Sequence, residues 1–179
     1  MTKSRKAQIL GMPFTMIMSI IVIAFILYVG VITVKGFLEN AERIKVASFA
    51  TTFKYDVNTL WQTTAGSRSY SYDLSAKIEK VCFANLSKSL SPESRNLTQV
   101  FSDLKKIQGA GQSNMFLYPI NFPTGLGVPA SYRIDCGETT KVNCLDLSQL
   151  PNPYCIQTSK GTVKIDLVKE GRYVRVVKK

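Results

Sequence analysis

Between residues 8 and 34 the chain carries no charged side chain, and the core of that run, 12–34, is mostly Met, Ile, Val, Phe, Leu, Ala and Gly, relieved by Pro13, Thr15, Ser19, Tyr28 and Thr33. An α-helix rises about 1.5 Å per residue, so crossing a hydrocarbon core takes roughly 20 residues. This run supplies them and is apolar on every side, whereas a buried core helix keeps a polar face. A secretory signal shares the basic start (Lys3, Arg5, Lys6), but its apolar stretch is shorter, roughly 7–15 residues, and ends in a small-residue cleavage site that is missing here. Residues 8–35 are therefore predicted to be a transmembrane helix behind a basic tail or leader, 1–7.

After Lys35 the pattern acquires two faces. Ala41, Ile44, Val46, Ala47, Phe49, Phe53, Val57, Leu60 and Trp61 recur mostly three and four apart, with Glu39, Glu42, Arg43, Lys45, Ser48, Lys54, Asp56 and Asn58 between them. That is the spacing of an amphipathic helix reaching about Gln62. Gly36 costs a helix about 1 kcal/mol without ending it, so one continuous helix of about 50 residues is expected, its second part a stalk over 36–65.

The small-residue stretch 63–71 breaks this pattern, and short runs rich in β-branched and aromatic residues follow at 69–74, 77–84, 115–118, 132–136, 154–157, 162–168 and 173–177. The clearest are the last two. Val163, Ile165 and Leu167 alternate with Lys164, Asp166 and Val168, and 169–172 turns the chain into a hairpin. Ser-Pro-Glu at 91–93 opens a short helix within 91–107, and the Gly- and Pro-rich stretch 108–130 reads as mostly loop. The fold class expected is α+β: a long N-terminal helix, transmembrane and then amphipathic, packed on a mainly antiparallel β domain over 66–179.

Charge and cysteines orient this arrangement. The tail has Lys3, Arg5 and Lys6 and no acid, while the far flank mixes Lys35, Arg43 and Lys45 with Glu39 and Glu42. The positive-inside rule thus favours a cytoplasmic N-terminus and an extracytoplasmic domain in a cell membrane. Cys82, Cys136, Cys144 and Cys155 all lie beyond the span, an even set expected to form two disulfides in an oxidising compartment. Three connectivities are open, and Cys136 with Cys144 and Cys82 with Cys155 is the pairing expected. Zinc fits less well, because no closely spaced cysteine pair occurs and the chain has no His.

The lack of His also excludes Ser-His-Asp, Cys-His and His-metal arrangements. Asp135, Glu138 and Asp146 lie close in sequence but without a spacing that marks an acid-base pair, and they read as solvated charges. Gly109, Gly111, Gly125 and Gly127 lack a phosphate-binding pattern. No catalytic residue, metal or cofactor is expected, and the chain does not read as an enzyme. Of the net charge of +11, much sits at the C-terminus in Lys160, Lys164, Lys169, Arg172, Arg175, Lys178 and Lys179, with Asp166 and Glu170 interleaved. On an extracytoplasmic domain such a group suits lipid head groups, cell-surface polysaccharide or an acidic neighbour better than nucleic acid, and Lys164, Arg172 and Arg175 are the candidate anion-binding residues. Asn85-Leu86-Ser87 and Asn96-Leu97-Thr98 are glycosylation sequons.

Lys6-Ala7-Gln8, a basic and a small residue set directly before the hydrophobic helix, resembles the class III signal of archaeal type IV pilin-like proteins. The resemblance implies cleavage after Ala7 by a membrane peptidase on the cytoplasmic side, Gln8 as the mature start, and a long helix whose outer half packs on an antiparallel sheet. At the fifth mature position, where many bacterial pilins and a subset of archaeal ones carry an acid, this chain has Met12, followed by Pro13. The Lys-Ala-Gln start, the helix and Lys80-Val81-Cys82-Phe83 are also similar to uncharacterised membrane-anchored proteins of small-genome archaea. The function expected is that of a single-pass structural or interaction subunit, pilin-like or pseudopilin-like, in contact with membrane lipid and associating through its helix with copies of itself or with a pilus or secretion apparatus. An anchored adhesion module is the alternative, and an anchored hydrolase using carboxylates comes third.

Overall fold

The structure, a computed structural model, describes residues 11–107, 109–137 and 142–177. Helix α1 (Gly11–Gln62) is unbroken through Gly30 and Gly36, as the absence of any other helix breaker after Pro13 dictates. The chain divides into two compact units between Ala41 and Glu42.

In the first unit every residue from 14 to 40 is exposed. Its hydroxyls turn back on the helix: Ser19 Oγ donates to the Thr15 carbonyl and Thr33 Oγ1 to that of Val29, each at 2.8 Å. A segment in hydrocarbon must satisfy its polar groups internally in this way. The helix is long and apolar enough to cross a membrane, with its most apolar stretch wholly unburied.

The second unit begins with the remainder of α1. Val46, Phe49, Ala50, Phe53, Val57 and Leu60 form its buried stripe, while Ile44, Lys45, Thr52, Lys54 and Tyr55 face outward. Against the stripe lie two four-stranded sheets. The first takes the order β1-β7-β8-β5, from β1 (Gly66–Asp73), β5 (Leu145–Asp146), β7 (Thr162–Glu170) and β8 (Tyr173–Val176). The second takes the order β4-β3-β2-β6, from β2 (Lys80–Phe83), β3 (Met115–Tyr118), β4 (Ser131–Tyr132) and β6 (Tyr154–Gln157). All pairings are antiparallel except β5 with β8. The fold is thus α+β, as the sequence predicts.

The sheets bury their faces differently. Strand β1 pairs with β7 from Gly66↔Lys169 to Asp73↔Thr162, so Tyr70, Tyr72, Val163, Ile165 and Leu167 point toward α1 while Ser67, Ser69, Ser71 and Lys164 point away. The Tyr72 hydroxyl donates to Asp56 Oδ2 at 2.9 Å, tying β1 to α1, and burial together with the Asp56 carboxylate raises its pKa. In the second sheet both faces are covered. Val81, Phe83, Met115 and Leu117 join the core under α1, whereas Cys82 and Phe116 pack with Val100 and Leu104 of α2 (Thr98–Lys105) and with Ala110. Double coverage is why these strands read as unbroken apolar runs rather than as alternation. A left-handed turn at Gly161 starts β7. A Cβ there would lie 2.8 Å from the Leu74 carbonyl, so the position requires glycine.

Both expected disulfides form, Cys82–Cys155 between register partners on β2 and β6, and Cys136–Cys144 across a short loop. Several local expectations shift. Strand β1 starts at Gly66, inside the stretch read as a breaker, because full-length pairing with β7 overrides weak local propensity. The run 132–136 yields only β4 and an isolated bridge from Cys136 to Val142. The helix within 91–107 opens as a 3-10 turn, Pro92–Leu97, and the expected loop 108–130 holds the 3-10 turn Ala110–Gln112 and the short helix α3 (Asn121–Gly125).

Loop-closure entropy separates the two disulfides. Removing the bridge of sequence separation 73 (Cys82→Ala with Cys155→Ala) is expected to cost about 4 kcal/mol, against about 2.5 kcal/mol for the bridge of separation 8 (Cys136→Ala with Cys144→Ala). Urea unfolding of the full chain in detergent would show the order, and equal losses would contradict it.

Candidate functional site

Alternation along β7 decides which of its charges meet solvent. Lys164 and Asp166 fall on the open face, where the Ser69 hydroxyl donates to Asp166. Lys169 falls in register with Val163, Ile165 and Leu167 on the inner face and is only 8% exposed. Its ammonium lies 5.4 Å from the centre of the Trp61 ring, and burial lowers its pKa. Trp61 stands in the last turn of α1, where unsatisfied carbonyls favour a cation. Its indole Nε1 donates to the Arg172 carbonyl at 2.9 Å, fixing the β7–β8 turn against the helix. Trp61, Lys169, Arg172, Tyr173 and Asn143 thereby border a pocket of about 470 Å³.

Asn143 and Tyr173 also border a larger, polar cleft of about 980 Å³. Buried Asn114 shapes one wall: its Oδ1 accepts from the Ile134 N–H at 2.8 Å and its Nδ2 donates to the Ile134 carbonyl at 3.1 Å, imitating a strand neighbour. Asp135 follows, with Oδ2 2.7 Å from Arg133 Nε and Oδ1 buried without a hydrogen-bond partner among the described residues. Arg133 also donates from Nη1 to Gln112 Oε1 at 2.7 Å. The opposite wall is held by Asn152, whose Nδ2 donates to the carbonyls of Asn85 and Ser89 and whose Oδ1 accepts from the Asn85 N–H. The Tyr132 hydroxyl is buried without a hydrogen-bond partner among the described residues, and burial pushes its pKa up to about 12.

The sequence-predicted residues scatter over this surface. Lys164, Arg172 and Arg175 do not form one anion site. Arg175 is held 2.7 Å from Glu170 Oε2 and 3.8 Å from Asp146 Oδ2, Lys164 stands on the open sheet face, and Arg172 borders the pocket beside Trp61. Asp135 and Asp146 do share the large cleft, each beside an arginine, while Glu138 lies outside the described residues. Asn85 and Asn96 are both exposed, and Asn85 Oδ1 accepts from the Ser87 N–H at 3.0 Å. Lys6, Ala7 and Gln8 lie outside the described residues. Among the described residues no group of three or more Asp, Glu, Cys or His gathers as metal ligands would. Lys169 and Trp61 were not singled out by sequence, although the β7 alternation carries the signal: one step beyond Leu167 on the inner face stands a lysine. Comparison with protein-family models, with curated proteins and with solved structures finds no match for the chain.

Tyr132 makes a testable contribution to alkaline stability. Its folded pKa of about 12 exceeds its ordinary value of 10.0, so the unfolded chain loses that proton first and stability falls as pH rises from 10.0 toward about 12. Tyr132→Phe is expected to leave stability at pH 7 unchanged or slightly higher, since an unpartnered hydroxyl goes, and to lessen the alkaline loss. Denaturant midpoints measured at several pH values would check this, and an unchanged alkaline slope would count against it.

Proposed function

We propose that this chain is a single-pass membrane-anchored structural or interaction subunit, pilin-like or pseudopilin-like, with a cytoplasmic N-terminal tail and a disulfide-bonded extracytoplasmic domain. The observation that carries this reading is the double duty of α1. Its first part is apolar and wholly exposed, and its continuation supplies Val46, Phe49, Phe53, Val57 and Leu60 to the core of the second unit. An anchor that is also a core element cannot be freed from its domain without unfolding it, which suits a subunit held permanently at a membrane. The two disulfides support an oxidising side for the domain. On the helix face turned away from the core, Ile44 and Tyr55 are 66% and 68% exposed, a surface for a neighbouring helix.

Intact mass of the protein from native membranes tests both halves of the proposal. Expected are loss of residues 1–7 and four cysteines that alkylate only after reduction. A photo-crosslinking side chain at position 55 is expected to capture a second subunit in the membrane. An intact Met1 together with a monomer that never crosslinks would defeat the subunit reading, and four free thiols would defeat the topology.

A further inference from the structure

Two arginines of the second unit are matched by carboxylates. Arg175 stands between Glu170 and Asp146, and Arg133 stands against Asp135. Lys169 is the one buried lysine or arginine among the described residues. It is 8% exposed, no carboxylate lies within ion-pair distance of it among the described residues, and its contact is the Trp61 ring. Arg172, at the adjacent turn, likewise has no ion-pair partner among the described residues, and its backbone is pinned by the Trp61 indole. Lys169 is buried and Arg172 exposed, and two cations without ion-pair partners among the described residues bordering one pocket attract an anion.

The walls restrict what kind of anion fits. Arg172 offers a planar fork suited to a carboxylate, Tyr173 offers a half-exposed ring on which a C–H face can rest, and Asn143 offers an amide. The pocket meets the larger cleft at Asn143 and Tyr173, and that cleft continues with Asn114, Arg133 and Asp135, groups suited to hydroxyls rather than to acyl chains. We propose that the Lys169–Arg172–Trp61 pocket binds the carboxylate of an acidic saccharide, with the adjoining cleft accepting the hydroxylated neighbours of that residue. This inference does not depend on the subunit reading.

The chain has a single tryptophan, Trp61, so its emission reports on the pocket directly. The full-length protein in detergent would be titrated with a short oligogalacturonate and with a neutral galactan oligomer of the same length. Expected are a saturable change in Trp61 emission with the acidic oligomer, affinity for the neutral one lower by about tenfold or more, and a similar loss with Arg172→Gln or Lys169→Met. Lys164→Gln, on the open face, is expected to change nothing. Arg172→Gln sits in an exposed turn and stays decisive even if Lys169→Met disturbs the core. Equal affinity for both oligomers, no saturable change, or equal weakening by Lys164→Gln would overturn the proposal. Tighter competition by a short peptide with a free C-terminal carboxylate would overturn the saccharide assignment.

Discussion

One aromatic contact organises the second unit. Phe53 has no exposed surface, and its ring meets Tyr72 of β1 at 5.8 Å and Phe83 of β2 at 5.7 Å, so a single side chain of α1 touches both sheets. The two sheets share no strand, and the helix is the element over which both close. Full burial of a phenylalanine stabilises by about 2–3 kcal/mol, and each well-placed aromatic pair adds about 1 kcal/mol. Phe49, stacked on Phe53 and edge-on to Tyr72, extends the contact by one turn, and the Tyr72–Asp56 hydrogen bond fixes its rotation. Strand register follows from this point. With Tyr72 opposite Val163, a slip of β1 by one residue would turn Tyr70 and Tyr72 to the open face.

The second sheet requires a different solution because it is covered twice. Its outer side holds Cys82, Phe116, Val100 and Leu104, a small cluster under an eight-residue helix. The Cys82–Cys155 bridge lies in that cluster, where few apolar contacts are available, and it joins strands already paired by hydrogen bonds. Around it, Asn152 makes polar bonds in place of absent secondary structure, holding the chain near Asn85, Ser89 and Ser91. Reinforcement is therefore concentrated where the apolar core is thin.

What was legible in the sequence follows from how local each cause is. The unbroken helix and the β7–β8 hairpin rest on spacing along the chain, and each is found in the structure; of the three cysteine connectivities that the sequence leaves open, the expected one is found. Strand β1 was half hidden, since Gly66, Ser67 and Ser69 have no strand propensity of their own and depend on β7. Strand β5 is two residues long and pairs in parallel with β8, so no local pattern marks it. The basic C-terminal cluster misleads for the same reason. Arg175 looks free in sequence, and one of the carboxylates that neutralise it, Asp146, belongs to another strand. Closeness in sequence did bring Asp135 and Asp146 to one cleft, but their arginine partners could be assigned only in three dimensions.

Lys169 shows how a charge can carry more information than a cluster of charges. Its position continues the inward set Val163, Ile165 and Leu167, and Val174 and Val176 of β8 fill the same core. An apolar residue there would extend that core, and replacing buried ions by well-packed apolar groups is often neutral or stabilising. The Trp61 ring offsets part of the cost of holding an ammonium, by about 1 kcal/mol at sites of this kind. Among the described residues no carboxylate lies within ion-pair distance of Lys169. On the proposed saccharide site, burial and the Trp61 contact are what set Lys169 apart from Lys164, the solvated lysine on the opposite face of the same strand.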